Sequence, residues 1–216
     1  MIDIVKLSKN FGTRELWSDV TYTISKGEML ALVGPSGSGK STLLNCIGLL
    51  DKPTGGAIYH EGRDITRFGR REARLFRRDI LGYLFQNYAL IENATVIDNL
   101  NIALKPHRAL RGRTGATLDE ALDRVGLVGR GNEKIHHLSG GEQQRVALAR
   151  LMVKQPALVL ADEPTGALDH ANAAAVIDIL RDMSDAGCAV VIATHDDRVR
   201  EQCDTVFAVN ANSLVA

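Results

Sequence analysis

Residues 34–41 read Gly-Pro-Ser-Gly-Ser-Gly-Lys-Ser, between the apolar run Met29–Val33 and the helix-like stretch Ser41–Leu50. A strand that runs into a G-x-x-x-x-G-K-[ST] loop and then into a helix is the context in which this pattern holds phosphate. Gly37 and Gly39 lack a Cβ, so the backbone can curl around an anion. The loop amides and the helix N-terminus then point at that anion, and the helix dipole adds about half a positive charge. Lys40 is expected to reach the β- and γ-phosphates and Ser41 to ligate Mg²⁺. Gly34, Pro35, Ser36, Ser38 and Thr42 complete the expected nucleotide-binding stretch. A plain Gly/Ser turn capping a helix would give no reason for Lys40 and Ser41 together. The pattern alone means a nucleoside triphosphate, and many phosphate-loop enzymes share it.

The rest of the chain must supply a sheet for that loop. Its 216 residues, 45% hydrophobic and 24% charged, suit one core without disulfide staples. Ile2–Leu7 and Val20–Ile24 read as antiparallel strands. Ile80–Phe85, Leu158–Ala161, Cys188–Thr194 and Val206–Val209 read as further strands. Asn93–Leu104, a helix opened by the capping box Thr117–Glu120, a helix from Ser139 to Lys154, and Asn172–Met183 read as helices. Residues 107–116 read as a solvated loop. The expected fold is α/β: a parallel-sheet phosphate-loop NTPase core with an N-terminal antiparallel β subdomain and an inserted α-helical subdomain. As one domain over residues 1–216, this places the core at about 1–86 and 156–216 and the helical lobe at about 87–155.

Composition excludes several classes. Lys+Arg and Asp+Glu both number 26, so no basic excess points to nucleic acid. Cys46, Cys188 and Cys203 are too few and too scattered for a disulfide framework or a zinc site. No apolar stretch approaches the ~20 residues of a membrane helix and the N-terminus has no signal-peptide pattern, so any membrane role is expected to come through a partner.

Leu158–Ala161 leads directly into Asp162-Glu163. At the carboxyl edge of a parallel sheet, Asp162 would lie near Ser41 and the metal. Glu163, one residue on, points elsewhere and is placed to orient or deprotonate a water. Ser139-Gly-Gly-Glu142 is a capping box, which accounts for Ser139 and Glu142 but not for Gly140-Gly141, a poor helix-forming pair.

Leu138-Ser-Gly-Gly-Glu-Gln-Gln-Arg145, standing about twenty residues before Asp162-Glu163, resembles the signature of ABC-type ATPases. The resemblance covers nearly the whole chain. It implies that Gln86 is the Q-loop glutamine, a Mg²⁺-sensing hinge, and that Asp169, in Gly166-Ala-Leu-Asp169, is the D-loop aspartate. It likewise implies that His195 is the switch histidine and that Phe11 is the aromatic stacking on adenine. Glu163, His195 and Gln86 are then catalytic. Ser139, Gly140, Gly141 and Glu142 contact the ATP of a second chain, in a head-to-tail homodimer closed by ATP. Gly48–Gly55, Ala161–Asp169 and Phe85–Asn93 are similar to the branch serving macrolide export, lipoprotein release, and bacitracin resistance or bacteriocin export. That branch implies a separate permease with an extracytoplasmic domain and a location on the cytoplasmic face of the plasma (inner) membrane.

Position 11 is Phe where the family more usually has Tyr, and His136-His137 stand where this branch often has Pro and Gln. Adjacent histidines point in different directions, so this pair reads as a loop surface. The Arg-rich run Arg63–Arg78 reads as a solvated helix face. A chain ending at Ala216 leaves an expectation of no regulatory domain. Two other readings compete. A soluble ABC-type ATPase acting on nucleic acid or ribosomes usually carries two ATPase domains or a long coiled coil. A nucleotide kinase has no use for Leu138–Arg145.

Overall fold

The computed structural model describes residues 1–104, 117–166, 168 and 170–209. The expected loop over 107–116 and the D-loop aspartate Asp169 lie outside the described residues.

Strand β1 (Ile2–Phe11) turns at Gly12-Thr13 into β2 (Arg14–Ile24), and the two pair antiparallel from Phe11↔Arg14 to Ile2↔Ile24. Both run longer than their apolar segments, because pairing carries polar residues along with the buried ones. On its other edge β1 pairs antiparallel with β4 (Gly55–His60), which is followed by the two-residue β5 (Arg63–Asp64). The sheet order is β2-β1-β4-β5. β4 was not expected, because its opening Gly55-Gly56 reads as a break.

The second sheet is wholly parallel. It contains β3 (Met29–Val33), β6 (Leu81–Leu84), β7 (Leu158–Asp162), β8 (Ala189–Ala193) and β9 (Thr205–Ala208), in the order β6-β7-β8-β3-β9. These match the expected strands within a residue or two at each end. Their continuous apolar runs reflect burial on both faces. Leu158, Leu160, Val191 and Ala193 face one core, shared with β1, β2 and helix α1 (Lys40–Ile47). Val159, Ala161, Val190 and Ile192 face the opposite core. The period-2 alternation thus divides the hydrophobic residues between two layers, each fully buried Leu, Ile or Val contributing about 1.5–3 kcal/mol.

The second layer is built from α3 (Val96–Leu104), α4 (Leu118–Arg124), α5 (Gly140–Lys154) and α6 (His170–Asp185). α3 starts later than Asn93, because the Thr95 hydroxyl accepts from Asp98 N at 3.1 Å and Asp98 caps the Thr95 amide in return. α1 stops short of Leu50, where Leu49 takes φ +55°. α2 (Arg70–Asp79) takes only the second half of the Arg-rich run. Within that run Arg63 pairs with Glu72, Arg67 with Asp64 and Arg78 with Asp79. A short α7 (Asp197–Glu201), capped by Asp196, follows β8. Among the described residues no helix is long and apolar enough to cross a membrane.

Candidate functional site

The phosphate loop leaves β3 at the carboxyl edge of the parallel sheet and enters α1 through Gly39. Gly39 has φ +96°, and a Cβ there would fall 2.5 Å from Leu16 Cδ2 and 2.7 Å from Trp17 Nε1. Both the dihedral and the packing of β2 therefore demand glycine. No side chain caps α1, so its first amides remain directed at the loop. Lys40 Nζ reaches across the loop and donates to Gly34 O at 2.7 Å and Pro35 O at 3.3 Å. Ser38 is buried beneath, and its Oγ finds no partner among the described residues.

The loop forms one wall of a cleft of about 730 Å³. Gly34, Pro35, Ser36, Gly37, Gly39, Lys40 and Ser41 line it, and Gln86, Glu163 and His195 face it from other elements. Asp162 sits at the end of β7 and accepts a hydrogen bond from Ser41 Oγ at 2.9 Å. Burial pushes the Asp162 carboxyl above the ordinary range, against the opposing pull of the Ser41 bond. Glu163 turns away from Asp162 at φ +48°, its amide donating to Ala193 O at 2.9 Å. Its Oε1 lies 2.9 Å from His195 Nδ1, and that bond, followed by the charge of Glu163, raises the His195 pKa. β7 and β8 are paired neighbours, which places their terminal residues side by side. Two adjacent acids thus have separate partners, Asp162 the hydroxyl and Glu163 the imidazole.

For magnesium, the cleft offers the Ser41 hydroxyl and the amide of Gln86, with the Asp162 carboxylate hydrogen-bonded to Ser41. Few hard oxygen donors from protein, with phosphate and water supplying the rest, suit Mg²⁺. No cluster of three His, Cys, Asp or Glu that could hold a metal occurs among the described residues. His136 and His137 sit ring edge to ring face, with His136 Nδ1 against Glu92 O.

Several expected residues lie elsewhere. Phe11, at the end of β1, is 55% exposed and does not line the cleft. Thr42 is the third residue of α1 and does not line the cleft. Ser139, Gly140, Gly141 and Glu142 begin α5 and do not line the cleft, although Tyr88 of the cleft wall lies beside Gly140. Ser139 N donates to Glu142 Oε2 at 2.8 Å and Glu142 N to Ser139 Oγ at 3.4 Å, closing the expected capping box. Arg130 holds the other carboxylate oxygen at 3.0 Å. Among the described residues nothing crowds the glycine pair: a Cβ on Gly140 or Gly141 would meet its nearest neighbour at 3.5 or 3.6 Å.

The cleft also takes residues that sequence reasoning left without a role. Phe85 and Tyr88 flank Gln86, and Pro164 and Gly166 follow Glu163. Gln144 of α5 is 3% exposed and donates from Nε2 to Pro164 O, joining the signature helix to the turn that carries Glu163. A polar residue on the buried face of α5 was the available signal for Gln144. Nothing local marked Tyr88, whose φ of +61° is unusual for a bulky side chain.

Comparison with known proteins agrees with this geometry. The ABC transporter family model matches residues 17–166. The chain is 41% identical to the lipoprotein-releasing system ATP-binding protein LolD 1 of Rhodopseudomonas palustris, covering 97% of each chain. It is 38% identical to the macrolide export ATP-binding/permease protein MacB 1/2 of Paracoccus denitrificans over 95% of this chain, which is 31% of that protein. A bacterial ABC transporter cassette, solved as a dimer, superposes with a TM-score of 0.86 at 33% identity, covering 98% of this chain and 95% of that one. The same cassette in a post-hydrolysis state bound to ADP and Pi gives a TM-score of 0.85.

Proposed function

This chain belongs to the ABC transporter family as an ATP-binding subunit, an ATPase, and on that premise we propose how its residues share the work. Lys40 and the amides of Gly37–Ser41 bind the β- and γ-phosphates. Ser41, Asp162 and Gln86 would hold Mg²⁺, which when bound neutralises charge on the phosphates. Glu163 orients and deprotonates the attacking water, and His195, tied to it at 2.9 Å, contacts the γ-phosphate. Phe11 stacks on adenine. Asp169 joins the opposite subunit's site.

The observation that carries this reading is a pair of adjacent, differently partnered acids at the phosphate loop, Asp162 bonded to Ser41 and Glu163 facing the loop across the cleft beside His195. The signature residues do not line that cleft, and among the described residues their glycine pair is unobstructed. Both features fit a head-to-tail homodimer in which ATP lies between one phosphate loop and the partner's Ser139–Glu142. The helical lobe of about residues 87–155 then moves against a core of about 1–86 and 156–216.

Closure and opening drive a separate permease with an extracytoplasmic domain, on the cytoplasmic face of the plasma (inner) membrane. The similarity to LolD over 97% of both chains supports a cargo of lipoprotein or peptide type, exported or released. A soluble ATPase acting on nucleic acid has no support in the zero net charge.

Glu163→Gln keeps the side-chain shape and removes the base. With ATP it is expected to sediment as a dimer, and with ADP or without nucleotide as a monomer, because bound ATP shifts the equilibrium by mass action. Adding Ser139→Arg is expected to undo that dimer. A Glu163→Gln/Ser139→Arg chain that still dimerises with ATP would reduce the signature segment to a helix cap.

A further inference from the structure

Lys9 is buried, with 6% of its surface exposed, although it stands near the exposed end of β1. The pairing of β1 with β2 shifts register on both sides of it. Its ammonium is held from two directions: Asp51 Oδ2 lies at 2.7 Å and Lys52 O at 2.8 Å. The same nitrogen sits over the Phe11 ring, 4.9 Å from its centroid. The carboxyl of Asp51 is drawn below its ordinary range, chiefly by the Lys9 hydrogen bond.

Asp51 lies four residues beyond the end of the phosphate-loop helix and is tied back to its last turn. Its amide donates to Asn45 O at 3.1 Å, and the Leu50 amide donates to the same carbonyl at 2.8 Å. Thr54 N then ties the segment to Ser8 O at 2.8 Å. A continuous run of contacts therefore leads from α1 through Asp51 and Lys9 to the ring of Phe11.

An aromatic side chain that is 55% exposed has rotamers to lose when a base stacks on it. A cation fixed against one face holds the ring in place beforehand and leaves the other face for a ligand. The ammonium also draws ring electron density toward itself, which favours stacking of an electron-rich purine on the far face. Two anchors on the ammonium would be excessive for an ordinary surface lysine, which keeps its head in water.

We infer that Lys9 is a positioning residue for nucleotide recognition, holding the Phe11 ring as a wall for the purine base and coupling that wall to the end of the phosphate-loop helix. The inference rests on reading Phe11 as the base platform.

Calorimetric titration of the full chain with Mg-ATP and with Mg-tripolyphosphate, which has phosphates but no base, separates the roles. Lys9→Met is expected to weaken ATP binding by about two- to fivefold, the scale of one cation–π contact, and to leave tripolyphosphate binding unchanged. Lys9→Arg is expected to restore ATP affinity. Phe11→Ala should weaken ATP binding, and Lys9→Met should add nothing to it. Lys9→Met orphans the Asp51 carboxylate, so Lys9→Met/Asp51→Asn repeats the measurement without a stranded charge. Wild-type ATP affinity in Lys9→Met, with Phe11→Ala impaired, overturns the role of Lys9. Equal weakening of tripolyphosphate and ATP also overturns it, because the residue would then serve only the loop's integrity. Wild-type ATP affinity in Phe11→Ala overturns the platform reading, and the inference with it.

Discussion

Arg150→Ala tests how the segment after Gln86 is held. Arg150 lies on α5, and its guanidinium forks onto the next turn of the cleft wall, NH1 donating to Ala89 O at 2.7 Å and NH2 to Tyr88 O at 3.0 Å. Both acceptors belong to residues with positive φ, +61° at Tyr88 and +47° at Ala89. Neither is glycine, so each costs about 1 kcal/mol to keep left-handed. Burial lowers the Arg150 pKa from its ordinary value, the mark of a cation drawn partly out of water. The bond to half-buried Tyr88 is charge-assisted and worth about 1.5–3 kcal/mol, whereas the Ala89 carbonyl is exposed and can be rehydrated, so its loss costs about 0.5 kcal/mol. The gross loss is about 2–3.5 kcal/mol. Relaxation of the two strained residues returns about 1–2 kcal/mol, so the turn is expected to let go. The net destabilisation is then at most about 2.5 kcal/mol, a fall in Tm of no more than roughly 10 °C for a chain of this size. Gln86, one residue before Asn87 in the same turn, leaves the cleft, and ATP turnover falls at least about tenfold, the scale of one misplaced ligand group. Thermal denaturation and steady-state ATPase assays measure the two effects. Ala89→Gly, which accepts positive φ without strain, should recover part of the turnover in the Arg150→Ala background. Wild-type turnover in Arg150→Ala would refute the reasoning, because the fork would then support nothing in the cleft.

Lys40→Ala removes an ammonium positioned for two charge-assisted contacts, so ATP affinity should fall by about 100-fold or more; near-normal binding of a fluorescent ATP analogue would displace the site from this loop. The His195 pKa is raised by Glu163, so their attraction contributes fully below the ordinary histidine value and fades as pH rises through the elevated one. With the His195 side chain 73% exposed, screening holds the contribution to about 0.5 kcal/mol. The Tm difference between wild type and His195→Gln should be widest near pH 5.5 and close toward pH 8.5, and a difference that widens with pH would contradict the pairing.

The elements readable from sequence are those whose reason is local. The parallel strands declared themselves because burial on both faces leaves no room for polar residues, and the phosphate loop because its glycines, Lys40 and Ser41 stand together between a strand and a helix. The elements that escaped depend on what arrives from far along the chain. Lys9 reads as a surface lysine until Asp51 and Lys52 come to meet it. Tyr88 and Ala89 carry no glycine to advertise their dihedrals, because Arg150 stabilises the turn from another helix. The two Gly-Gly pairs make the point sharply. Gly55-Gly56 looks like punctuation but opens β4, and a Cβ on Gly56 would fall 2.2 Å from Lys6 O, so neighbouring β1 consumes the space. Gly140-Gly141 looks the same in sequence, yet a Cβ on either would meet only ordinary contacts among the described residues outside its own turn, Tyr88 Oη at 3.5 Å and Leu168 Cδ2 at 3.6 Å. A pair that costs helix stability at the start of α5 and meets no crowding among the described residues suits the proposed approach of a second chain. On the proposed reading, the helix end beside it would offer its remaining free amides to the phosphate of a second chain's ATP.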